Sequence, residues 1–145
     1  REMKSNKKKS SLATSAKLHM GVAHCLEKAF KALSIVRNNA SEDLLKSICK
    51  SVRSSSQIFE AVSHGILAQD IASRKIHIGA AIAHANRCCE ILCTNEVFSS
   101  RHRDVVREFL SDFERHRKKL INENNTIYFS VVPDKVERIA EIVLE

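Results

Sequence analysis

Seven histidines and five cysteines are the residues of this 145-residue chain best suited to chemistry. A metal site would need several of them to converge, and a nucleophilic site would need one beside a base. The densest grouping is His84, Cys88, Cys89 and Cys93. His84 and Cys88 lie one helical turn apart and so share a face. Zinc sites usually combine two separated ligand pairs around a tight turn, and the chain has no such spacing. His77 and His84, seven apart, could share a helix face, whereas His19 and His24, five apart, cannot. No His-Glu-x-x-His run occurs, and no acid joins His77 and His84 at helical spacing. Gly21, Gly65 and Gly79 are isolated, which excludes a glycine-rich phosphate loop. No strand-turn-helix elbow frames a serine. Cys25, Cys49, Cys88, Cys89 and Cys93 are expected to be buried, reduced thiols, since an odd count without a secretory signal fits a reducing cytosol. The expectation is a non-enzymatic protein with no metal and no cofactor.

The elements that carry these residues are helices. Three Gly and one Pro leave few sharp turns, and Trp is absent, so the core must be aliphatic with six Phe. Residues 1–9 are expected to be a mobile basic leader, and a helix to start at Ser10 or Ser11. Leu12, Ala16, Leu18, Val22, Ala23, Leu26, Ala29, Phe30 and Leu33 then recur at helical steps up to Arg37-Asn38-Asn39. Asn39 and Glu42 have the spacing of a capping box for a second helix running to about Ser73. Its polar Ser54-Ser55-Ser56 permits close helix approach. A third helix carries the small face Ile78, Ala81, Ile82, Ala85, Cys88, Cys89 and Leu92 up to a break at Thr94-Asn95. A fourth, Ser100 to Ile121, turns Val105, Val106, Phe109, Leu110, Phe113 and Leu120 inward. The fold class expected is all-α, with long antiparallel helices in a bundle or a tetratricopeptide-like solenoid. No repeat of 34 residues is visible, so any solenoid kinship is structural.

The net charge of +7 is concentrated. Residues 1–9 carry +4, and Arg101 to Lys119 hold seven basic and four acidic residues. Such clusters attract anionic membrane or nucleic acid, but no base-stacking aromatics accompany them, which disfavours nucleic acid. No run reaches the roughly 20 apolar residues of a membrane span. An opening Arg1 instead of Met is what an excised piece of a longer protein would show.

After the fourth helix, Asn124-Asn125 is expected to stop the helix. Ile127, Tyr128, Phe129, Val131 and Val132 favour an extended, strand-like strap closed by Pro133, the one proline. The tail 134–145 regains helical spacing in Val136, Ile139, Ala140 and Val143.

The order of these segments resembles the C-terminal portion of a Bro1 domain, over about Lys4 to Pro133 and thus the helical stretch 10–133. Ile78-Gly79-Ala80-Ala81-Ile82-Ala83-His84-Ala85 is similar to the family's F-G-E-A-I-A-R-L run, with Gly79 and Ile82 matching and Ala85 in place of Leu. Ile127-Tyr128 and Val132-Pro133 match its I-Y and V-P. The resemblance implies a tetratricopeptide-like helical core and a scaffold acting in ESCRT-linked endosomal sorting and vesicle trafficking. It further implies a cytoplasmic, endosome-associated location. The partner implied is the C-terminal helix of an ESCRT-III subunit, held on an exposed hydrophobic patch. Lys17 and Leu18 correspond to part of that patch, with Thr14 one turn earlier where the family has an aliphatic residue. The alternative reading is a basic helical module that binds anionic membrane or nucleic acid through its leader and fourth helix.

Overall fold

A computed structural model describes residues 2–39, 43–94, 98, 100–140 and 142, with side chains from Leu12 onward apart from 37–39. Four long helices make up most of it. They are α1 (Glu2–Asn39), α2 (Asp43–Ser73), α3 (Ile78–Cys93) and α4 (Arg103–Glu123). Among the described residues there is no strand. Each helix packs antiparallel against the next, and α4 also touches α2. The result is an all-α bundle in which α2 lies between α1 and α3. The expected capping box extends to Glu42, which lies outside the described residues.

Serine hydroxyls set how closely α1 and α2 approach. Ser63 Oγ donates to the Ala16 carbonyl at 2.6 Å and Ser56 Oγ to that of Ala23 at 2.7 Å. The donors advance by seven along α2 while the acceptors recede by seven along α1, which fixes the antiparallel register. Ala16 and Ala23 are both buried, so nothing bulky separates the two backbones. The main core lies between α2, α3 and α4, where Ile58, Ala61, Val62, Cys88, Ile91, Leu92, Phe98 and Val106 close up. Gly65 belongs to this packing, because a Cβ there would strike the Phe113 ring.

Three expectations are corrected. First, α1 begins at Glu2, well before Ser10 or Ser11. The first nine residues hold Glu, Met and four Lys with no Gly or Pro, and so they extend the helix at little cost. Second, the Asn pair does not stop the fourth helix. The helix runs on through a wider π-helical turn, Asn124–Tyr128, and ends at Phe129 with φ 51°. The Phe129 N–H donates to the Asn124 carbonyl at 2.7 Å. Third, the tail is not helical over 134–140. Its job is to reach. The Val131 carbonyl lies against Gly79 on α3, and that of Ile142 against Gly21 on α1, on the far side of α2. Crossing two helix spacings takes about 16–20 Å. Eleven helical residues would span only about 16 Å, whereas an extended chain covers about 36 Å. Ile139, near the far end of the crossing, is buried on Met20 and Ala23 of α1.

Lys75, His77 and Phe129 are the non-glycine residues with positive φ among those described, at 55°, 59° and 51°. Each left-handed residue costs about 1–2 kcal/mol. Lys75 and His77 lie in the α2–α3 turn, and Phe129 ends the π-turn. Ile78, Ala72, Leu120, Ile121, Tyr128 and Val132 share one cluster, so both turns meet at the same end of the bundle.

Candidate partner-binding groove

The divergence of α1 and α4 over α2 leaves a groove of about 270 Å³, lined by His19, Ser55, Ile58, Phe59, Val62, His102, Val105 and Phe109. Its floor is α2 and its walls are the other two helices. The His19 ring packs on Phe59 with centroids 5.7 Å apart, and its Nδ1 lies 2.7 Å from the Ser15 carbonyl. That bond places the proton on Nδ1 and aims the ring into the groove. His102 Nε2 meets Ser55 Oγ at 3.1 Å, which ties the turn before α4 to the floor. What remains is an apolar trough with two imidazoles on its walls. It can take apolar side chains from a partner.

Lys17 and Leu18 precede His19 on α1 and are both exposed, but neither lines this groove. Leu18 is 38% exposed and Val105, which does line it, 44%. Both were expected among inward-facing positions, and both present apolar surface to solvent. Thr14, one turn before Leu18, is also exposed.

The remaining predicted residues lie at the opposite edge, under the strap. Gly79 faces the strap backbone directly, since a Cβ there would overlap the Val131 carbonyl oxygen and sit 3.3 Å from the Val132 nitrogen. Ile82, Tyr128 and Val132 join one cluster with Leu120. Two segments nearly fifty residues apart in sequence are therefore in contact. Ile127 points to solvent. Pro133 stays exposed and helps line a second hollow, about 660 Å³, between α3 and the strap, with Asn86, Arg87 and Glu90 on its floor. Asn124, expected as a helix stop, is buried and anchors the strap. Its Nδ2 donates to the Ser130 carbonyl and its Oδ1 accepts from the Ser130 N–H, both at 2.9 Å.

His84, which by spacing could share a helix face with His77, instead meets a histidine of α2. His84 Nδ1 lies 2.9 Å from Nδ1 of His64 on α2, with the rings stacked at 5.2 Å, while His77 sits exposed in the turn before α3. One ring donates and the other accepts, so the two carry their protons on different nitrogens. Burial, the His84 ring and Arg87 push His64 down to about 4, and burial lowers His84 against the pull of Glu137 on the strap. Both rings are thus neutral near pH 7. Nothing in the sequence could have announced this pair, because it depends on the register of α2 against α3.

Among the described residues, no three of His, Cys, Asp and Glu come together as a metal site. All five cysteines are free thiols. Burial raises Cys88 and Cys89, which makes them poor nucleophiles. Cys25 and Cys93 are exposed, contrary to the expectation that all five are buried. The basic excess of α4 is largely offset along its own face, by Arg107–Asp104, Arg115–Asp112, Arg117–Glu114, Lys118–Glu114 and Lys119–Glu123 pairs. No described helix is long and apolar enough to cross a membrane.

Antiparallel helices, an apolar trough and a tail that straps three helices together define a helical interaction module. The chain belongs to the BRO1-like domain family, whose model matches residues 2–143. No curated protein and no solved structure matches it.

Proposed function

We propose that the chain is a non-catalytic scaffold that binds the C-terminal helix of an ESCRT-III subunit in endosomal sorting and vesicle trafficking, on the cytoplasmic face of endosomes. The observation that carries this reading is the apolar trough with exposed Val105 on its lip, on the side of the bundle that includes His19 of α1. Helix-in-groove recognition needs apolar anchors one turn apart on the ligand and a trough to take them. Phe59 and Val62 supply the apolar floor and Phe109 an apolar wall. Lys17, exposed beside Leu18, supplies a cation for an acidic residue of the ligand helix. The tetratricopeptide-like character of the helical core belongs to the same proposal, with stacked hairpins forming the concave side.

The test is a titration with an ESCRT-III C-terminal peptide. Leu18→Asp and Val105→Asp, both at solvent-exposed positions, should each weaken binding by about tenfold or more, since each places a charge where an apolar anchor is desolvated. Circular dichroism of both variants should be unchanged. Absence of binding by the native chain, or affinity indifferent to both substitutions, would sink the proposal.

A further inference from the structure

The end of the bundle away from the α1–α2 turn carries a set of apolar side chains that no part of the fold uses. Ile76 is 59% exposed, Ile127 64%, Phe129 74% and Val131 89%. Neither groove described above is lined by any of them. The backbone holds two of them out under strain. Ile76 sits between Lys75 and His77, both left-handed, and Phe129 is itself left-handed. All the positive-φ residues described therefore flank or carry side chains displayed at this one end. Strain of this kind persists where the surrounding structure imposes it, and it clusters at functional sites.

Positive charge gathers at the same end. Lys75 is exposed in the α2–α3 turn, whereas Lys118 and Lys119 in the last turns of α4 are paired with Glu114 and Glu123. The α1–α2 register supplies more. Ala16 lies opposite Ser63, and the chains run antiparallel, so the first turns of α1 lie level with the end of α2 and beyond it. Those turns contain Lys4, Lys7, Lys8 and Lys9.

We propose that this end of the bundle docks on an anionic lipid bilayer, with Ile76, Ile127, Phe129 and Val131 entering the interface and the lysines meeting the headgroups. The geometry favours a bilayer over a protein partner. The apolar side chains project from two turns and a strap and do not line a concavity. A soft interface can take separate projecting side chains, whereas a protein partner fitting them would need matching pockets. Cations behind an apolar tip give the charge complementarity that peripheral binding requires, because neither attraction alone anchors firmly. This surface is separate from the trough beside Val105, so the two proposals stand or fall independently.

The test uses the whole chain and floated vesicles of phosphatidylcholine, with and without about 30% phosphatidylserine. The chain should partition about tenfold or more in favour of the anionic vesicles, and about 0.5 M salt should weaken it. Ile76→Ser combined with Phe129→Ser should reduce partitioning by about tenfold at low salt, with unchanged circular dichroism. The chain has no Trp, so Phe129→Trp gives a single reporter. Its emission should shift to the blue with anionic vesicles alone. The proposal is overturned by absence of vesicle binding or by binding insensitive to the double serine variant. An emission maximum unmoved by vesicles would overturn it as well. So would a blue shift that grows with protein concentration without lipid, which would make a second copy the occupant.

Discussion

Replacing Gly79 by Ala tests whether the strap is a structural member or a passive tail. Helix propensity alone predicts a gain, since Ala is favoured over Gly inside a helix by about 1 kcal/mol. The site predicts the reverse. The new methyl would overlap the Val131 carbonyl oxygen and lie 2.7 Å from its carbon, and backbone cannot rotate away as a side chain can. The strap must lift. Lifting withdraws Val132 and Tyr128, both half-buried, from Ile78, Ile82 and Leu120. Full burial of such a side chain is worth about 1.5–3 kcal/mol, so two half-buried ones forfeit about 2 kcal/mol. Straining the two Asn124–Ser130 hydrogen bonds adds about 1 kcal/mol. After the propensity gain, the net cost is about 2 kcal/mol, or a fall of about 4–8 °C in Tm for a chain of this size. Urea and thermal unfolding followed by circular dichroism give the stability. Amide exchange locates the change, which should appear as lost protection near Tyr128–Val132, with the α1–α2 contact unaffected. Gly21→Ala is the internal comparison. Its methyl would lie 2.7 Å from the Ile142 oxygen, at a point where the strap can peel without disturbing Val132. Its cost should be smaller. A Gly79→Ala protein as stable as the native chain, or more stable, would refute the reasoning.

Asn124→Ala removes both partners of the Ser130 backbone, and it should cost about 2 kcal/mol in urea unfolding while leaving the helical content of α4 intact. A variant of native stability would mean that water replaces the side chain without loss. The His64–His84 pair predicts acid sensitivity. His64 is held at about 4 in the fold against an ordinary 6.5, so between those values the unfolded chain binds more protons than the folded one. Stability is therefore full above pH 6.5 and falls as the pH drops toward 4, by about 3 kcal/mol from this residue. His64→Gln should flatten that slope, and an equally steep profile in the variant would assign the acid sensitivity to other groups.

The helices themselves were legible because each carries a long apolar stripe at helical spacing with few breakers between. The ends of α2 and α3 fell where Ser73 to Lys75 and Thr94 interrupt that spacing. The start of α1 is not legible because a polar, basic segment carries no apolar stripe, although its residues favour helix individually. The continuation through Asn124 is hidden for a related reason. Asn disfavours helix interiors through its competing side-chain hydrogen bonds, but here that side chain is engaged by Ser130, six residues on. The pairing of Gly79 with the strap came from two motifs whose order was visible and whose contact was not. A missing Cβ leaves no trace in a sequence until the backbone it admits is known.

The groove shows a deeper limit. Periodicity marks which face of a helix is apolar, and it cannot say whether another element of the same chain covers that face. Val105, Val106, Phe109 and Leu110 form one inward stripe on α4. Val106 is fully buried in the core, while Val105 stands 44% exposed on the lip of the trough. On α1, Leu18 is apolar like Ala16 and Ala23, which are sealed against α2, but two residues on from Ala16 it turns to another face and stays exposed. A residue reserved for a partner and one reserved for the core obey the same spacing rule, since both answer to the same cost of exposing apolar surface. What separates them is the third helix that arrives, or fails to arrive, over that face. Here α4 packs on α3 and the middle of α2, and its divergence from α1 leaves the trough open. Candidate docking residues in an all-α chain are therefore best sought at the edges of its apolar stripes, where the neighbouring helix swings away.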